Sequence, residues 1–596
     1  MKHIYTMKKL QIYRRFIIWR IKSLGQRQFI LILSALIGLG VGLAAVLIKN
    51  FVHLIQLLFE ENQTGTIHHY LYFVIPIFGI LLTILFIKYV NKRPVGHGIP
   101  GVLYAISKNN GIIKRHNLYS SVIASALTVG FGGSVGLEGP TVATGAAIGS
   151  NIGRYFRMNY KQIILLLGCA CAGAMASIFK APIAAIVFAL EVIMLDLTLM
   201  SLVPLLISSL MAALTSYLFM GQNVLYSFQI KEPFMMNQIP YYILIGILAG
   251  LMSVYFTKMY VLITGLFEKL KGSYIRLLIG GIVLGLLILF IPSLYGEGYE
   301  PINNCLNGNY AYLFENTLYG KYSESITASL VILFFIVMLK VVATSITFGA
   351  GGVGGIFAPS LFIGANLGLF FAKVMNLFNI SISESNFALV GMAGLIAGVI
   401  HAPLTAIFLI AEITGGYELF FPLMIVSTIS FATTRFFISN SVYTIQLAKR
   451  GELLTHDKDK NILLLMRVNK LIEKDFHMID PDATLGDLIK VIKKSPRNIF
   501  PVVDKEGIFY GIVKMDDIRH IMFNTEMYAD TYVRDLMFMP RYTISKNESM
   551  EEVARKFQVS GRYNIAVLDE GKYLGFVSRA KLFSSYREML KTISRE

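Results

Sequence analysis

The chain is poor in charge, in cysteine and in tryptophan, and these shortages exclude several classes of protein. Only 15% of its 596 residues are charged, three are cysteine and one is tryptophan. Three cysteines without a CxxC pair or a nearby histidine predict neither a disulfide framework nor a metal site. The metalloprotease pattern HExxH and the phosphate-binding P-loop are also missing. The sequence therefore predicts that the protein is not an enzyme and needs no cofactor.

Apolar residues are abundant instead. They make up 55% of the chain, and the mean hydropathy is +0.61, which is typical of a polytopic α-helical membrane protein. Acidic residues are unevenly placed: 14 lie up to Ile445, and the other 22 lie in the remaining 151 residues. This shift in composition predicts a membrane body followed by a soluble C-terminal region.

The net charge of +18 is concentrated at the N-terminus. Residues 1–27 carry eight Lys or Arg and no acidic residue. Basic residues collect on the cytoplasmic side of membrane proteins, so we expect a cytoplasmic N-terminus, and cytoplasmic C-terminal residues, rather than nucleic-acid binding. The apolar run that follows is too long for a cleavable signal peptide, and this layout suits a bacterial inner membrane.

The stretch GGSVGLEGPTVATGAAIG, Gly132–Gly149, stands out within the membrane body. Glycine permits close approach of backbones, and Pro140 is suited to a first helical turn. We therefore predict a glycine-rich loop that leads into a helix N-terminus, where free N–H groups and the helix dipole favour an anion. Glu138 lies at the centre of this loop and would compete with that anion.

The membrane body contains an internal duplication. Residues 181–191 match residues 402–412 at an offset of 221. The glycine-rich stretch matches a second one at an offset of 219, so that Gly136 and Pro140 correspond to Gly355 and Pro359. In this alignment Glu138 corresponds to Phe357. The glycine scaffold is thus shared by two repeats, about 28–220 and 240–440, while the carboxylate belongs to one.

These motifs resemble those of the CLC family of chloride channels and proton-coupled chloride exchangers. The three anion-site loops of that family read here as GHGIP (Gly96–Pro100), GLEGP (Gly136–Pro140) and GIFAP (Gly355–Pro359), and the pore tyrosine matches Tyr443. The resemblance covers roughly residues 25–451. It implies a CLC-like inverted-repeat fold with many short or broken helices, and a homodimer with one pore in each subunit.

The resemblance also assigns site residues. Glu138 would be the gate and, in an exchanger, the proton carrier. The anion, chloride or another monovalent ion, would be bound by backbone N–H groups and one hydroxyl at these positions: His97, Gly98, Gly136, Leu137, Ile356, Phe357 and Tyr443. Two functions stay open, namely proton-coupled chloride exchange gated by Glu138, and a passive voltage- or pH-gated chloride channel in which Glu138 is only a gate.

Three positions depart from the usual family pattern. His97 stands where a serine is usual, so it either donates to the inner anion or only lines the inner vestibule. Val192 stands where exchangers often carry an internal proton-pathway glutamate, which favours a channel slightly. Leu137 replaces a commoner basic residue, which would weaken the outer electrostatic funnel.

Two acids, Glu191 and Glu412, are equivalent in the duplication and lie in apolar segments. Acidic residues inside a membrane are functional candidates by default. The alternative is that both lie at helix ends and accept hydrogen bonds from backbone N–H groups. Lys180 and His401 are likewise equivalent, each just before an Ala–Pro pair, where a helix-entry position is the simpler interpretation.

The soluble region also contains a repeat. Residues 498–518 resemble residues 564–583, each with two β-type runs around an acid–glycine turn, after an amphipathic helical stretch. Two such units resemble a tandem CBS pair, which in some proteins binds adenine nucleotides. The usual nucleotide pattern of a hydroxyl followed by Asp is split here between Ser578 and Asp517. Regulatory nucleotide binding and a purely structural or dimerising role are therefore both open.

Together these observations predict three regions. A basic cytoplasmic segment covers 1–27, an anion-transport body covers 28–451, and a cytoplasmic α/β CBS pair covers 456–596, with units at about 463–525 and 532–590.

Overall fold

The computed structural model describes residues 23–60, 67–96, 98–193, 199–221, 234–314, 317, 319–449, 463 and 466–594. The chain forms two compact units, Met1–Leu453 and Leu454–Glu596, and each is described by itself. The first is helical throughout its described part, and the second is a mixed α/β unit.

The first repeat of the helical unit consists of long apolar helices alternating with short ones. Its helices are α1 (Gln26–Glu60), α2 (Ile67–Leu85), α3 (Ile99–Lys108), α4 (Asn117–Gly130), α5 (Glu138–Tyr155), α6 (Tyr160–Phe179), α7 (Pro182–Phe188) and α8 (Leu199–Met220). Short π-helical segments, Phe86–Asn91 and Ala189–Ile193, extend α2 and α7. The short and interrupted helices agree with the predicted CLC-like pattern.

The second repeat has the same alternation. Its helices are α9 (Ile239–Lys269), α10 (Ser273–Phe290), α11 (Tyr299–Asn307), α12 (Ile326–Ala350), α13 (Phe357–Leu377), α14 (Glu384–Ile400), α15 (Pro403–Ile413), α16 (Phe420–Phe437) and α17 (Ile445–Lys449). Among the described residues of both repeats, nine helical segments are long and apolar enough to cross a membrane.

Reciprocal hydrogen bonds join the two repeats at their glycine-rich loops. Gly136 N–H donates to the Gly355 carbonyl at 2.8 Å, and Gly355 N–H donates to the Gly136 carbonyl at 2.7 Å. Two threonines at equivalent positions, Thr128 and Thr347, extend the symmetry. Ser134 N–H donates to Thr347 Oγ1 (3.3 Å), and Val353 N–H donates to Thr128 Oγ1 (3.0 Å). The offset of 219 therefore describes a two-fold relation in space.

Small residues allow the central helices to approach closely. A Cβ added to Gly364 on α13 would lie 2.5 Å from the Gly391 carbonyl on α14, and one on Gly368 would lie 2.0 Å from the Phe387 carbonyl. Only glycine fits such contacts between helix backbones, because any larger side chain would push the helices apart. The residues around the pore loops are consequently held in a tightly packed, almost completely buried layer.

The C-terminal unit contains two similar halves. Its elements are α18 (Leu485–Lys494), β1 (Ile499–Val503), β2 (Phe509–Lys514), α19 (Met515–Ile518), α20 (Val533–Leu536), β3 (Ile544–Ser545), α21 (Met550–Ser560), β4 (Asn564–Asp569), β5 (Lys572–Ser578) and α22 (Arg579–Ser594). The two amphipathic helices expected from the sequence are α18 and α21, and Thr484 and Ser549 cap them by accepting N–H bonds.

The two halves have the same strand pairing. In one half β1 and β2 are antiparallel, and Ile479 forms a parallel bridge with Val502 of β1. In the other half β4 and β5 are antiparallel, and β3 is parallel to β4. Each half therefore repeats a short parallel strand, a hairpin and flanking helices, which is the repeat expected from the sequence.

Candidate functional site

The three glycine-rich loops that the sequence singled out meet at one place. Gly98 (φ 63°) precedes α3, and a Cβ added there would lie 3.2 Å from the Cα of Gly139. A Cβ added to Gly139 would in turn lie 3.1 Å from the Cα of Gly355. These contacts place the N-terminal ends of α3, α5 and α13 around a common centre. Three helix N-termini directed at one region create a concentrated anion-attracting field.

Glu138 occupies this centre and begins α5. Its side chain is fully buried, and Oε1 accepts a short hydrogen bond from the hydroxyl of Tyr299. The N–H groups of Glu138 and Ala358 also stabilise the carboxylate electrostatically, but at Oε2 no hydrogen bond of normal geometry forms within the described part of the chain. A buried carboxylate oxygen without such a bond marks a position where a proton or a different arrangement of the side chain is favoured.

The other candidate anion ligands lie around this carboxylate, except for His97, which is outside the described residues. Ile356 and Phe357 are buried at the start of α13, opposite the equivalent positions Leu137 and Glu138. The Tyr443 hydroxyl is buried close enough to the carboxylate to interact with it electrostatically, and it has no hydrogen-bond partner among the described residues. An unpaired buried hydroxyl is a suitable donor to a small anion.

Two of the departures lie in these loops, and the structure describes one of them, Leu137. The side chain of Leu137 packs in an apolar cluster with Ile48 and Val129, so it is directed into the protein core. Its N–H group faces the site and donates a hydrogen bond to the carboxylate of Glu297. His97 lies outside the described residues.

Glu297 and Tyr299 reach the site from the interval 292–322, which is polar in sequence and lies between two long apolar runs. Glu297 Oε1 accepts a hydrogen bond from the N–H of Leu137 at 3.1 Å. Tyr299 begins α11 and donates to Glu138, as noted above. Part of this polar interval therefore folds onto α5 and completes the surroundings of Glu138.

Lys340 fixes this segment from α12. Its side chain has no exposed surface, and its ammonium donates to the carbonyls of Leu294 (3.1 Å) and Gly296 (3.0 Å). Gly296 N–H donates to the Gly132 carbonyl at 3.1 Å. The segment that carries Glu297 is thus tied both to the glycine-rich loop and to a buried cation.

Lys49 is a second cation near the site. It lies on α1, donates to the Ile178 carbonyl at 2.9 Å, and interacts electrostatically with Glu138 and Glu297. Lys49 and Lys340 are single lysines inside long apolar runs, which is the signal by which sequence inspection could have found them. The positive charge absent at Leu137 is therefore supplied from α1 and α12.

The residues Gly132–Gly136 also satisfy the letters of the hydrolase pattern GxSxG. The hydroxyl of Ser134 donates to the Leu294 carbonyl at 2.7 Å, and the serine follows a helix rather than a strand. In a hydrolase the serine lies at a strand-to-helix turn beside its base. The geometry therefore assigns Ser134 to loop packing.

Glu191 and Glu412 cap helices across the two repeats. Glu191 accepts bonds from the N–H groups of Leu404 (3.2 Å) and Thr405 (2.8 Å) at the start of α15. Glu412 accepts bonds from the N–H groups at positions 183 and 184, at the start of α7, at 3.1 and 2.9 Å. The interpretation as helix-end acceptors is confirmed, and each acid satisfies the helix of the other repeat.

The equivalent residues Lys180 and His401 end α6 and α14 in left-handed conformations, with φ of 55° and 61°. The Lys180 ammonium donates to the Gly221 carbonyl at 2.7 Å. Both residues sit at sharp turns between two helices, which agrees with the helix-entry interpretation.

The proposed nucleotide residues of the C-terminal unit have different surroundings. Ser578 is buried at the end of β5, where its hydroxyl donates to the carboxylate of Glu473 and accepts the N–H of Lys581 at 3.0 Å. Asp517 is exposed on α19. Within the described part of the chain, no hydrogen bond or ion pair joins Asp517 to Ser578.

Chemically, the central site can hold an anion and a proton. Backbone N–H groups attract an anion without the strong binding of a full positive charge, so the ion can leave again. A carboxylate at the same position excludes the anion while ionised and admits it once protonated.

Comparison with known proteins gives consistent matches. Residues 78–435 match the family model "Voltage gated chloride channel", and residues 468–524 and 533–588 each match the CBS domain model. The chain is 30% identical over 414 residues to an H(+)/Cl(-) exchange transporter ClcA from Vibrio vulnificus, covering 67% of this chain and 85% of the relative. It is 28% identical over 441 residues to a voltage-gated ClC-type chloride channel ClcB from Escherichia coli, covering 71% and 99%.

A solved structure shows the same fold. The crystal structure of a slow cyanobacterial Cl-/H+ antiporter superposes with a TM-score of 0.61, at 23% identity, over 72% of this chain and 99% of that one. The inverted-repeat architecture and the tandem CBS region predicted from the sequence are thereby confirmed.

Proposed function

The chain belongs to the voltage-gated chloride channel family, and from that premise we propose that it exchanges chloride for protons across a membrane, with Glu138 as gate and proton carrier. It is a multi-pass membrane protein with a C-terminal CBS pair. The relatives include an exchanger and a channel, so the local geometry of Glu138 has to support the choice between them.

The single observation that carries the proposal is the fully buried Glu138 carboxylate, placed where three helix N-termini converge and next to the unpaired Tyr443 hydroxyl. An ionised carboxylate in this position occupies the place of an anion. A proton delivered to it removes its charge and releases it from the N–H groups, after which a chloride ion can enter. Binding of a proton and binding of chloride at one place are linked in this way, as exchange requires.

The other site residues have supporting roles in the proposal. The N–H groups of Ile356 and Phe357 and the hydroxyl of Tyr443 bind chloride, together with the loop residues His97, Gly98, Gly136 and Leu137. The N–H of Gly136 itself donates to the Gly355 carbonyl, so Gly136 takes part through the backbone of its loop. The protein forms a homodimer in a bacterial inner membrane, with cytoplasmic termini. Its transport body covers 28–451, and its CBS pair, at 456–596, has a regulatory adenine-nucleotide site that includes Asp517 and Ser578.

Passive conduction is the second candidate, and Val192 favours it. Val192 lies in the π-helical segment beside Glu191, in the position where the family's exchangers often carry an internal proton acceptor. A valine there can neither bind nor pass on a proton. In this alternative Glu138 opens and closes the anion path without moving protons through the protein.

Flux measurements in proteoliposomes separate the two candidates. An outward chloride gradient should drive proton uptake against a pH gradient in the wild type, and Glu138→Gln should retain chloride flux while proton movement disappears. Glu300→Gln is a matched control, since Glu300 is exposed on α11. Chloride flux without uphill proton movement in the wild type would exclude exchange and leave the channel.

A further inference from the structure

We propose that Glu297 is a second gating carboxylate, which covers the outer face of the Glu138 site by occupying an N–H group that a chloride ion would otherwise use. The inference rests on the proposed anion-transport function and adds a residue to it. Glu138 alone was predicted as a gate. The structure brings a second acid to the same helix N-terminus, from a different segment of the chain.

The contact of Glu297 is with the anion-binding loop itself. Its Oε1 accepts the N–H of Leu137, 3.1 Å away, and Leu137 directly precedes Glu138 at the start of α5. Free N–H groups at this end of a helix are the groups that bind anions. A carboxylate that takes one of them acts as an anion attached to the protein, in the same way as Glu138.

The unpaired Tyr443 hydroxyl is a donor suited to a small anion, and the unpaired Glu138 oxygen marks a place that is incompletely satisfied. Glu138 Oε2 and the Tyr443 hydroxyl are both buried, and neither has a hydrogen-bond partner in the described part of the chain. Both belong to side chains at the point where α5 and α13 begin. The N–H of Leu137 therefore borders a site that is polar and incompletely satisfied, rather than an ordinary capped helix end.

Glu297 and Glu138 differ in their access to water. Glu138 is fully buried, whereas the side chain of Glu297 is partly exposed. An ion arriving from the side of Glu297 therefore meets Glu297 first. This order makes Glu297 the outer and Glu138 the inner of two negatively charged barriers.

The charges around Glu297 allow it to be displaced. Glu138 and Glu297 both interact there with Lys49, Glu297 also interacts with Lys340, and Lys180 interacts with Lys49. The two carboxylates repel each other, while Lys49 attracts both and Lys340 attracts Glu297. Removing the charge of Glu297 makes this group of side chains more positive by one charge, which attracts a chloride ion to the freed N–H.

The backbone around Glu297 is fixed by hydrogen bonds, whereas the Glu297 carboxylate is suited to move by rotation of its side chain. Its backbone segment is fixed by Lys340 through the carbonyls of Leu294 and Gly296. The segment is held in place, while the carboxylate makes only the Leu137 bond with protein donors in the described part of the chain. A side-chain rotation is then enough to release the N–H, without movement of α10 or α11.

Chloride binding to the purified full-length protein tests the proposal. Isothermal titration calorimetry at neutral pH compares the wild type with Glu297→Ala and Glu297→Gln. We expect Glu297→Ala to bind chloride about tenfold more tightly, equivalent to about 1.4 kcal/mol, because it frees the N–H and removes the charge. Glu297→Gln keeps an acceptor for Leu137 and should tighten binding by a smaller factor.

Glu300→Gln and Glu300→Ala are the matched controls and should bind chloride like the wild type. A purely structural role of Glu297 predicts unchanged or weaker chloride binding in both Glu297 variants, and this result would overturn the proposal. If the alanine variant does not fold, the isosteric glutamine variant still decides the matter.

The proposed transport function is tested separately by proton and chloride flux in the wild type. Wild-type exchange together with unchanged chloride binding in the Glu297 variants would reject the second gate alone. Tighter binding in those variants without any wild-type flux would reject the transport function and keep the role of Glu297 as a competitor for an anion site.

Discussion

The loops Gly136–Pro140 and Gly355–Pro359 have the same backbone arrangement and different chemistry. Each bonds to the other through reciprocal N–H groups, and each begins a helix, at Glu138 and Phe357. A carboxylate occurs in only one of them. The comparison shows that the duplication supplies a symmetric scaffold for an anion, whereas the charges that control it were added on one side.

The same division extends beyond the loops. The caps made by Glu191 and Glu412 are symmetric and satisfy helix ends in both repeats. Lys340 is asymmetric, since its equivalent at the offset of 219 is Ser121. We therefore expect symmetric positions to affect stability equally in both repeats, and asymmetric positions to have effects in one repeat only.

The largest effect on stability is expected for Lys340→Met. The substitution leaves the carbonyls of Leu294 and Gly296 without their donor and removes one of the two positive charges that act on Glu297. Breaking a buried charged contact costs about 3 kcal/mol or more. The midpoint of thermal aggregation in detergent, measured at one heating rate, should fall clearly below that of the wild type.

Ser121→Ala is the control at the equivalent position. Ser121 is buried, and its hydroxyl has no partner among the described residues, so its loss should be almost neutral. Equal melting of Lys340→Met and the wild type would show that Lys340 does not hold the Glu297 segment, and the asymmetry would lose its structural basis.

A smaller and symmetric effect is expected for Glu191→Ala and Glu412→Ala. Each leaves two helix N–H groups without their acceptor, one exposed and one partly buried, at a cost of about 1 kcal/mol. Glu191→Ala should cost slightly more, because Glu191 also accepts the Thr405 hydroxyl at 2.7 Å. The thermal midpoints of both variants should fall by similar amounts.

The exposed Glu418 provides the control Glu418→Ala, which should melt like the wild type. In both cap variants the ratio of chloride to proton flux should stay that of the wild type, because these acids contact helix ends and not the pore loops. A changed ratio in one of them would indicate a transport role, and the description of the pair as symmetric caps would be wrong.

The symmetric scaffold and the one-sided Glu138 could be predicted from the sequence, whereas the other asymmetric residues around Glu138 could not. Glycine spacing and the position of Pro140 predict the loop, the helix that follows it and its partner at Gly355, because these depend on local backbone requirements. Glu297 and Tyr299 reach the site only through tertiary folding of a polar interval, which no local pattern reveals. Lys340 lies between these cases, since a lone lysine in an apolar run was visible but its partners were not.

The CBS pair offers the same comparison outside the membrane, with the smallest expected effect. Arg497 at the start of β1 binds Glu473 (2.8 Å) and Asp475 (2.6 Å), while the corresponding position before β4 is Tyr563. The hydrogen bond from the Arg497 guanidinium holds the pKa of the Asp475 carboxyl below its usual value. Arg497 again has no counterpart in the other half, although its partner Glu473 also accepts the Ser578 hydroxyl of β5.

A lowered pKa in the folded state means that Asp475 stabilises the fold at neutral pH and that this contribution is lost as pH falls through the folded pKa. Asp475→Asn should therefore slightly raise hydrogen exchange in peptides of the β1 half above about pH 4, the usual pKa of aspartate, and leave it like the wild type in stronger acid. Asp475 is largely exposed, so solvent limits the effect to less than about 1 kcal/mol. The exposed Asp530 gives the control Asp530→Asn, and the β4 half should respond less than the β1 half, since it is reached only through Glu473 and Tyr573. An equal response in both halves would mean that the ion pair acts on the whole unit, and that its charge is not confined to one repeat.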